Sequence, residues 1–140
     1  MSNSLSLGWT QSIAARRLSS HQRIFGLALA LQLIIGAVFL FCPSYALSVV
    51  GLDTAMGPEW PSIWGATLIF VTTMQIPGVL NPVRQRYPNV IAVLGRGLMV
   101  LTFLSHGGPF LWFAAFDAVF AVLLAIGFRR VVITELMTRP

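Results

Sequence analysis

Two ionisable residues stand inside otherwise apolar sequence, Arg96 within the run Val90 to Ser105 and Asp117 within the run Phe110 to Phe128. In hydrocarbon each such side chain costs roughly 2.5–3.5 kcal/mol on insertion scales, so an arginine and an aspartate on consecutive apolar segments point to a pair turned away from lipid. Two amides accompany them, Gln32 in the run Ile24 to Phe41 and Gln75 in the run Pro61 to Leu80. These four side chains can satisfy one another and fix the register of packed helices. They can also line a site for protons, ions or a polar ligand. Arg96 and Gln75 can donate hydrogen bonds to a carbonyl such as that of a quinone. A different outcome is open to Arg96, which can snorkel to the nearer membrane surface and leave Asp117 facing a partner chain.

The elements that must position these residues follow from composition. With 56% hydrophobic and 9% charged residues and a mean hydropathy of +0.82, the chain lies far from the roughly 25% charged residues of a soluble domain. Each apolar run is near the roughly 17–25 residues that a spanning helix needs. The expected fold is all-α: a polytopic membrane protein whose residues 24–128 form an up-down bundle of four transmembrane helices, with an N-terminal segment 1–23 and a tail 129–140. The first run is longer than the roughly 7–15 residues of a signal-peptide core, so helix one is expected to be retained.

Charge placement orients the bundle. All nine basic residues are arginines. Arg16, Arg17 and Arg23 precede helix one, Arg84 and Arg86 lie between helices two and three, and Arg129, Arg130 and Arg139 follow helix four. By the positive-inside rule these segments share the cytoplasmic side, which places both termini inside. The loop Pro43 to Trp60, with Asp53 and Glu59, and the turn His106-Gly107-Gly108-Pro109 fall on the opposite side. Arginine without lysine suggests a GC-rich bacterial genome, hence a bacterial cytoplasmic (inner) membrane. The sequence pI of about 11.2 reflects flanking arginines suited to anionic lipid headgroups, not nucleic acid, for which no recognition motif is present.

Two amphipathic segments are expected at the interfaces. Leu5, Trp9, Ile13 and Leu18 recur at near-helical spacing and suit a short helix lying in the cytoplasmic interface. Ser44 to Leu52 suits a second one, with Tyr45, Trp60 and Trp64 joining Trp9 as interfacial aromatics. At a rise of about 1.5 Å per residue, Gln32 and Asp117 lie roughly 15 and 17 Å from the cytoplasmic edge, and Gln75 and Arg96 roughly 8–10 Å from it. The arginine is long enough to close the offset to Asp117 on the neighbouring antiparallel helix. Small residues flank the polar ones: Ala28 and Gly36 about Gln32, Ala114, Ala118, Ala121 and Ala125 about Asp117, Gly95, Gly97 and Ala92 about Arg96. Such spacing lets helices approach closely. Pro77 lacks an N–H for the Thr73 carbonyl, which predicts a kink in helix two and a backbone group for Gln75 or a water to bond.

Several chemistries are excluded. The lone Cys42 cannot form a dithiol relay. His21 at one edge and His106 at the other cannot ligate one haem, and His106 is expected to cap its helix or face water. No metal-ligand cluster, phosphate loop or Ser/His/Asp set is present, so neither a metal nor a catalytic residue is predicted.

The order of elements, with Phe41-Cys42-Pro43, Gly51-Leu52, Trp64-Gly65, Asn81-Pro82 and the triplet Gly95-Arg96-Gly97, resembles the DoxX-like small four-helix bacterial membrane proteins. The resemblance covers most of the chain as a layout and carries over no functional residue. It implies kinship with a broad group in which some members are similar to subunits of quinone-linked oxidoreductases and many have no assigned activity. A small multidrug transporter would carry a membrane-embedded glutamate in helix one, where this chain has Gln32. Three functions therefore remain. The leading expectation is a non-catalytic accessory subunit packed against a larger respiratory or photosynthetic membrane complex, or a homo-oligomer. In that reading Phe39, Phe41, Phe70, Phe103, Phe110, Trp112, Phe113, Phe116 and Phe120 form outward faces for lipid, partners or pigments. The alternatives are a small oligomeric transporter or channel gated by Arg96 and Asp117, and a quinone- or lipid-binding oxidoreductase subunit.

Overall fold

The structure, a computed structural model, describes residues 3–52 and 59–138, and side chains over 11–52 and 59–136. Asp53, Arg139 and the side chains of Leu5 and Trp9 lie outside the described residues. The chain is helical: α1 (Asn3–Phe41), α2 (Pro43–Val50), α3 (Glu59–Leu80), α4 (Arg86–His106), a 3-10 turn (Gly108–Phe110) and α5 (Leu111–Thr138). Four of these helices are long and apolar enough to cross a membrane, over Gln11–Phe41, Glu59–Leu80, Arg86–His106 and Gly108–Leu136.

The punctuation between helices is local. α1 contains no proline and runs for 39 residues, about 58 Å at 1.5 Å per residue, well beyond the roughly 30 Å of a hydrocarbon core. It ends where Cys42 leaves the helical region (φ −132°, ψ 55°), as the residue before a proline is disposed to do, and Pro43 opens α2. Gly51, at φ 73°, closes α2, with the Leu52 N–H bonding back to the Leu47 carbonyl at 3.0 Å. Asn81 and Pro82 stop α3. Because Pro82 has no N–H, the Gly78 carbonyl loses its helical partner and accepts from the Asn89 amide at 3.2 Å. Gln22 of α1 donates to the next two carbonyls, Val79 at 2.9 Å and Leu80 at 3.2 Å. Pro88 falls in the first turn of α4, where a missing N–H leaves nothing unpaired.

The N-terminal segment is helical, as its periodicity predicts, but it is not a separate interfacial element. It continues the first spanning helix without a break, and Arg17 on it donates to Thr134 of α5 at 2.8 Å. Beside it Arg86 of α4 meets Glu135 at 2.6 Å. The start of α1, the end of α5 and the α3–α4 turn therefore lie at one end of the bundle, together with Arg16, Arg17, Arg23, Arg84, Arg86, Arg129 and Arg130. This is the arginine-rich end; α2 and the Gly107–Phe110 turn lie at the other.

Around the bundle, α1 sits between α3 and α5, and α4 sits diagonally across from it, also between α3 and α5. The α1–α3 contact is the most extensive of these and the α3–α4 contact the sparsest. The close α1–α3 approach has a simple cause. A Cβ on Gly65 would stand 2.5 Å from the Leu40 nitrogen and 2.6 Å from the Gly36 oxygen, and one on Gly36 would meet the Gly65 oxygen at 3.1 Å. Two glycines facing each other bring the backbones together without a hydrophobic driving force, as in other lipid-embedded helix pairs. Near the arginine-rich end Phe25, Leu29, Ala92 and Leu124 form a small core from α1, α4 and α5.

Gly65→Ala is expected to destabilise the protein by about 1–3 kcal/mol, because neither backbone neighbour can move aside. Gly97→Ala, whose Cβ would meet nothing within 4 Å, is expected to be neutral or stabilising by up to about 1 kcal/mol. Thermal unfolding in detergent, followed by circular dichroism, compares the two.

Candidate functional site

Arg96 projects from α4 across the bundle axis and uses its two terminal nitrogens on two different helices. Nη1 donates to Asp117 Oδ1 of α5 at 2.6 Å, and Nη2 donates to Gln32 Oε1 of α1 at 2.7 Å. The arginine is buried and the aspartate side chain is 15% exposed. Asp117 lies between Phe116 and Phe120, one residue after the first and three before the second, so the guanidinium that reaches the carboxylate also comes over both rings, 5.9 and 5.6 Å from their centroids. Away from water, such cation–aromatic contacts strengthen. Ala28, Ala92 and Ala114, each within a turn of one member of the trio, are buried. Their small side chains allow the close approach that a charged hydrogen bond across a diagonal requires.

Three of the four polar residues are thus brought together, and Arg96 does not snorkel. Gln75 is the exception. It is buried, but its Oε1, like Arg96 Nε, has no hydrogen-bond partner among the described residues. Mutual satisfaction of all four side chains is therefore not what the geometry gives. The reason lies in the bundle: both terminal nitrogens of Arg96 point to α1 and α5, away from α3, and α3 packs only loosely on α4. The space between them is a cavity of about 270 Å³. Gln32, Gln75, Arg96 and Asp117 supply its polar lining, and Trp64, Phe103, Phe113 and Phe116 supply aromatic wall. Its rim carries exposed residues of α3 and α4 only, Thr67, Val71, Ile91, Gly95 and Leu98, so it opens sideways between those two helices.

Both ends of the cavity are stopped. Toward the arginine-free end Phe39 and Phe113 meet Trp64 edge-on, at 4.6 and 5.5 Å between ring centroids, and Phe103 lies 5.5 Å from Phe113. Trp64 packs into this inner aromatic cluster and does not point outward, because Gly65 beside it faces α1 and turns this stretch of α3 inward. Tyr45 and Trp60 are exposed, at 65% and 59%. The expected outward aromatic faces are likewise divided. Phe39, Phe103 and Phe120 are buried, Phe110, Phe113 and Phe116 partly so, while Phe41, Phe70 and Trp112 do face outward.

Toward the arginine-rich end the stop is a polar knot that sequence reasoning missed. His21 of α1, 1% exposed, makes a 2.8 Å hydrogen bond through Nε2 with Asn89 Oδ1 of α4. Asn89 in turn donates to the carbonyls of Gly78 and Gln85. Gly127 of α5 admits the imidazole, since a Cβ there would stand 2.8 Å from Nδ1. The available signal was the pairing of a histidine with a helix-start asparagine, each at the same edge of the apolar sequence. His106 is exposed, with Nδ1 2.8 Å from the Thr102 carbonyl in its own helix. No group of three His, Cys, Asp or Glu side chains able to hold a metal occurs among the described residues.

Fold and site together define a four-span α-helical membrane protein with an internal ion pair and a lateral cavity. No family model, curated protein or solved structure matches the chain. The likeness to other small four-helix membrane proteins is one of general architecture and does not single out the DoxX-like group.

Removing either charge strands the other, so Arg96→Ala and Asp117→Ala are each expected to cost about 3–5 kcal/mol. The double substitution is expected to cost about 1–3 kcal/mol less than their sum. Reversible unfolding of all four proteins in bicelles checks this, and strict additivity would show that the pair contributes no coupling.

Proposed function

We propose that the protein is a membrane-embedded binding subunit that takes up a lipid-soluble molecule from the bilayer, through the opening between α3 and α4, and serves as an accessory to a larger membrane complex using that molecule. The observation that carries this reading is the union of a polar floor, Arg96 held by Asp117 and Gln32, with aromatic walls and a mouth formed only by lipid-facing helices. A cavity of about 270 Å³ is close to the lower end of the roughly 300–1,000 Å³ usual for small-molecule sites, enough for a ring or head group whose tail stays in lipid. Quinones, with carbonyls for Arg96 and Gln75, and hydroxylated lipids have this form. Ion transport along the axis fits less well, because the aromatic cluster and the His21–Asn89 knot close both ends. In the same reading the arginine-rich end faces a bacterial cytoplasm.

Two measurements test it. With Trp9, Trp60 and Trp112 replaced by phenylalanine, Trp64 fluorescence should be quenched saturably by a decyl-chain benzoquinone. Gly95→Phe, which adds a ring at the cavity rim where a Cβ meets nothing, should abolish the saturable part while leaving the fold intact. Quenching that is linear and equal in both proteins would remove the proposal. For orientation, the exposed Cys42 should react with a membrane-impermeant maleimide added outside intact spheroplasts; protection there, with labelling of inverted vesicles, would reverse the topology.

A further inference from the structure

We propose that Asp117 sets the ligand class of this cavity: by neutralising Arg96 it makes the site selective for an uncharged head group bearing carbonyl, ester or hydroxyl oxygens, and rejects fatty-acid and phospholipid anions. The inference rests on the reading of the cavity as a lipid-facing binding site. An arginine in an apolar cavity would, alone, be a receptor for carboxylates and phosphates. Here its positive charge lies 2.6 Å from a carboxylate oxygen, so at head-group distances the two act as a dipole with no net charge. Arg96 is the one basic side chain among the lining residues. An incoming anion would lose its hydration, meet a compensated arginine, and approach Asp117 as closely as its partner. A cation meets the mirror-image obstacle.

What the cavity does offer is hydrogen bonding without charge. Arg96 Nε–H and the Gln75 amide are polar groups on opposite sides of the α3–α4 gap, both more than nine-tenths buried and without hydrogen-bond partners at Nε and Oε1 among the described residues. An N–H and an amide, which presents a donor and an acceptor, on two residues that line the cavity suit a neutral oxygenated ring or ester. The Phe116 and Phe120 faces that receive the guanidinium hold it toward Asp117, so the neutral pair is a fixed feature of the wall.

The test uses two probes with the same brominated chain, a dibrominated stearic acid and its methyl ester, which differ in head-group charge and by one methyl group, at mildly alkaline pH, read by bromine quenching of the full-length protein carrying Trp64 as its one tryptophan. Quenching in the Gly95→Phe protein is subtracted as non-specific. The ester is expected to bind at least about tenfold more tightly than the acid. Asp117→Asn, which keeps the shape and frees the arginine's charge, is expected to reverse that order. Equal or tighter binding of the acid to the unaltered protein would overturn the selectivity while leaving the cavity reading in place. Saturable binding of neither probe would overturn both. An Asp117→Asn protein that folds, as judged by circular dichroism, but keeps the original preference would overturn the role of Asp117.

Discussion

The ion pair between Arg96 and Asp117 is the constraint from which the rest of the bundle follows. Charges this far into an apolar layer are tolerated only with good geometry and further hydrogen bonds, because desolvation otherwise exceeds the Coulomb gain. The chain meets that requirement for Arg96 of α4 with residues from two other helices: the carboxylate and two phenyl faces from α5, and an amide oxygen from α1. To bring them within reach, α4 must present Arg96 to the axis and α1 must present Gln32 to it from the opposite corner. The rotation of three helices about their own axes is therefore fixed by one side chain. Alanines at the buried positions flanking the trio are the packing consequence, since larger residues would hold the helices too far apart for a 2.6 Å bond.

The fourth helix is placed by a different device. α3 meets α1 backbone to backbone at Gly36 and Gly65, and near the arginine-rich end Gly78 brings it against Pro88 and Asn89. Between these two points nothing draws α3 toward α4, because Arg96 is already committed elsewhere. The gap is thus not a packing defect distributed at random. It lies where a polar requirement on one side of the bundle and a glycine contact on the other leave one inter-helix seam without an attraction of its own. That the seam is lined by Gln75 and rimmed by Gly95 makes it polar within and open at the edge.

Much of this was legible from residue types. The four spans follow from hydropathy and length, and the clustering of arginines at one end follows from their position in alternate segments. The Arg96–Asp117 contact was legible only as one of two options: antiparallel neighbours joined by a tight turn put the pair within an arginine's reach despite unequal depths, while snorkelling stayed open, and the structure shows the contact. What was not legible depends on helix rotation and pairing, which one sequence does not encode locally. Gln75 has the same depth arithmetic as Arg96, yet whether it bonds depends on where α3 stands, and that is decided by Gly65. Trp64 looked interfacial because tryptophan near a helix start usually is; its neighbour Gly65 turned that stretch inward. His21 and Asn89 each read as edge residues, and only their meeting across α1 and α4, over Gly127, makes them a buried pair. The N-terminal segment has a periodicity that serves equally for lying on a membrane or on another helix; its continuity with the first span and the Arg17–Thr134 bond to α5 were not legible in it.

The energetic asymmetry within the site bears on how it would be used. Arg96, Asp117 and Gln32 offset one another's desolvation, whereas a buried amide oxygen without a partner typically costs about 1–3 kcal/mol. Gln75 therefore holds a reserve of unfavourable free energy that an occupant donating a hydrogen bond, such as a hydroxyl, would relieve and an apolar lipid chain would not. Discrimination of this kind does not need a strong attraction to the correct ligand, because the wrong one leaves the cost in place. It also links occupancy to folding: any molecule that binds the folded bundle and not the separated helices stabilises it by mass action, in proportion to the logarithm of its concentration over its dissociation constant. The seam between α3 and α4, the least cohesive part of the bundle, is where that stabilisation would be felt, which ties the looseness of the fold to the polarity of the site.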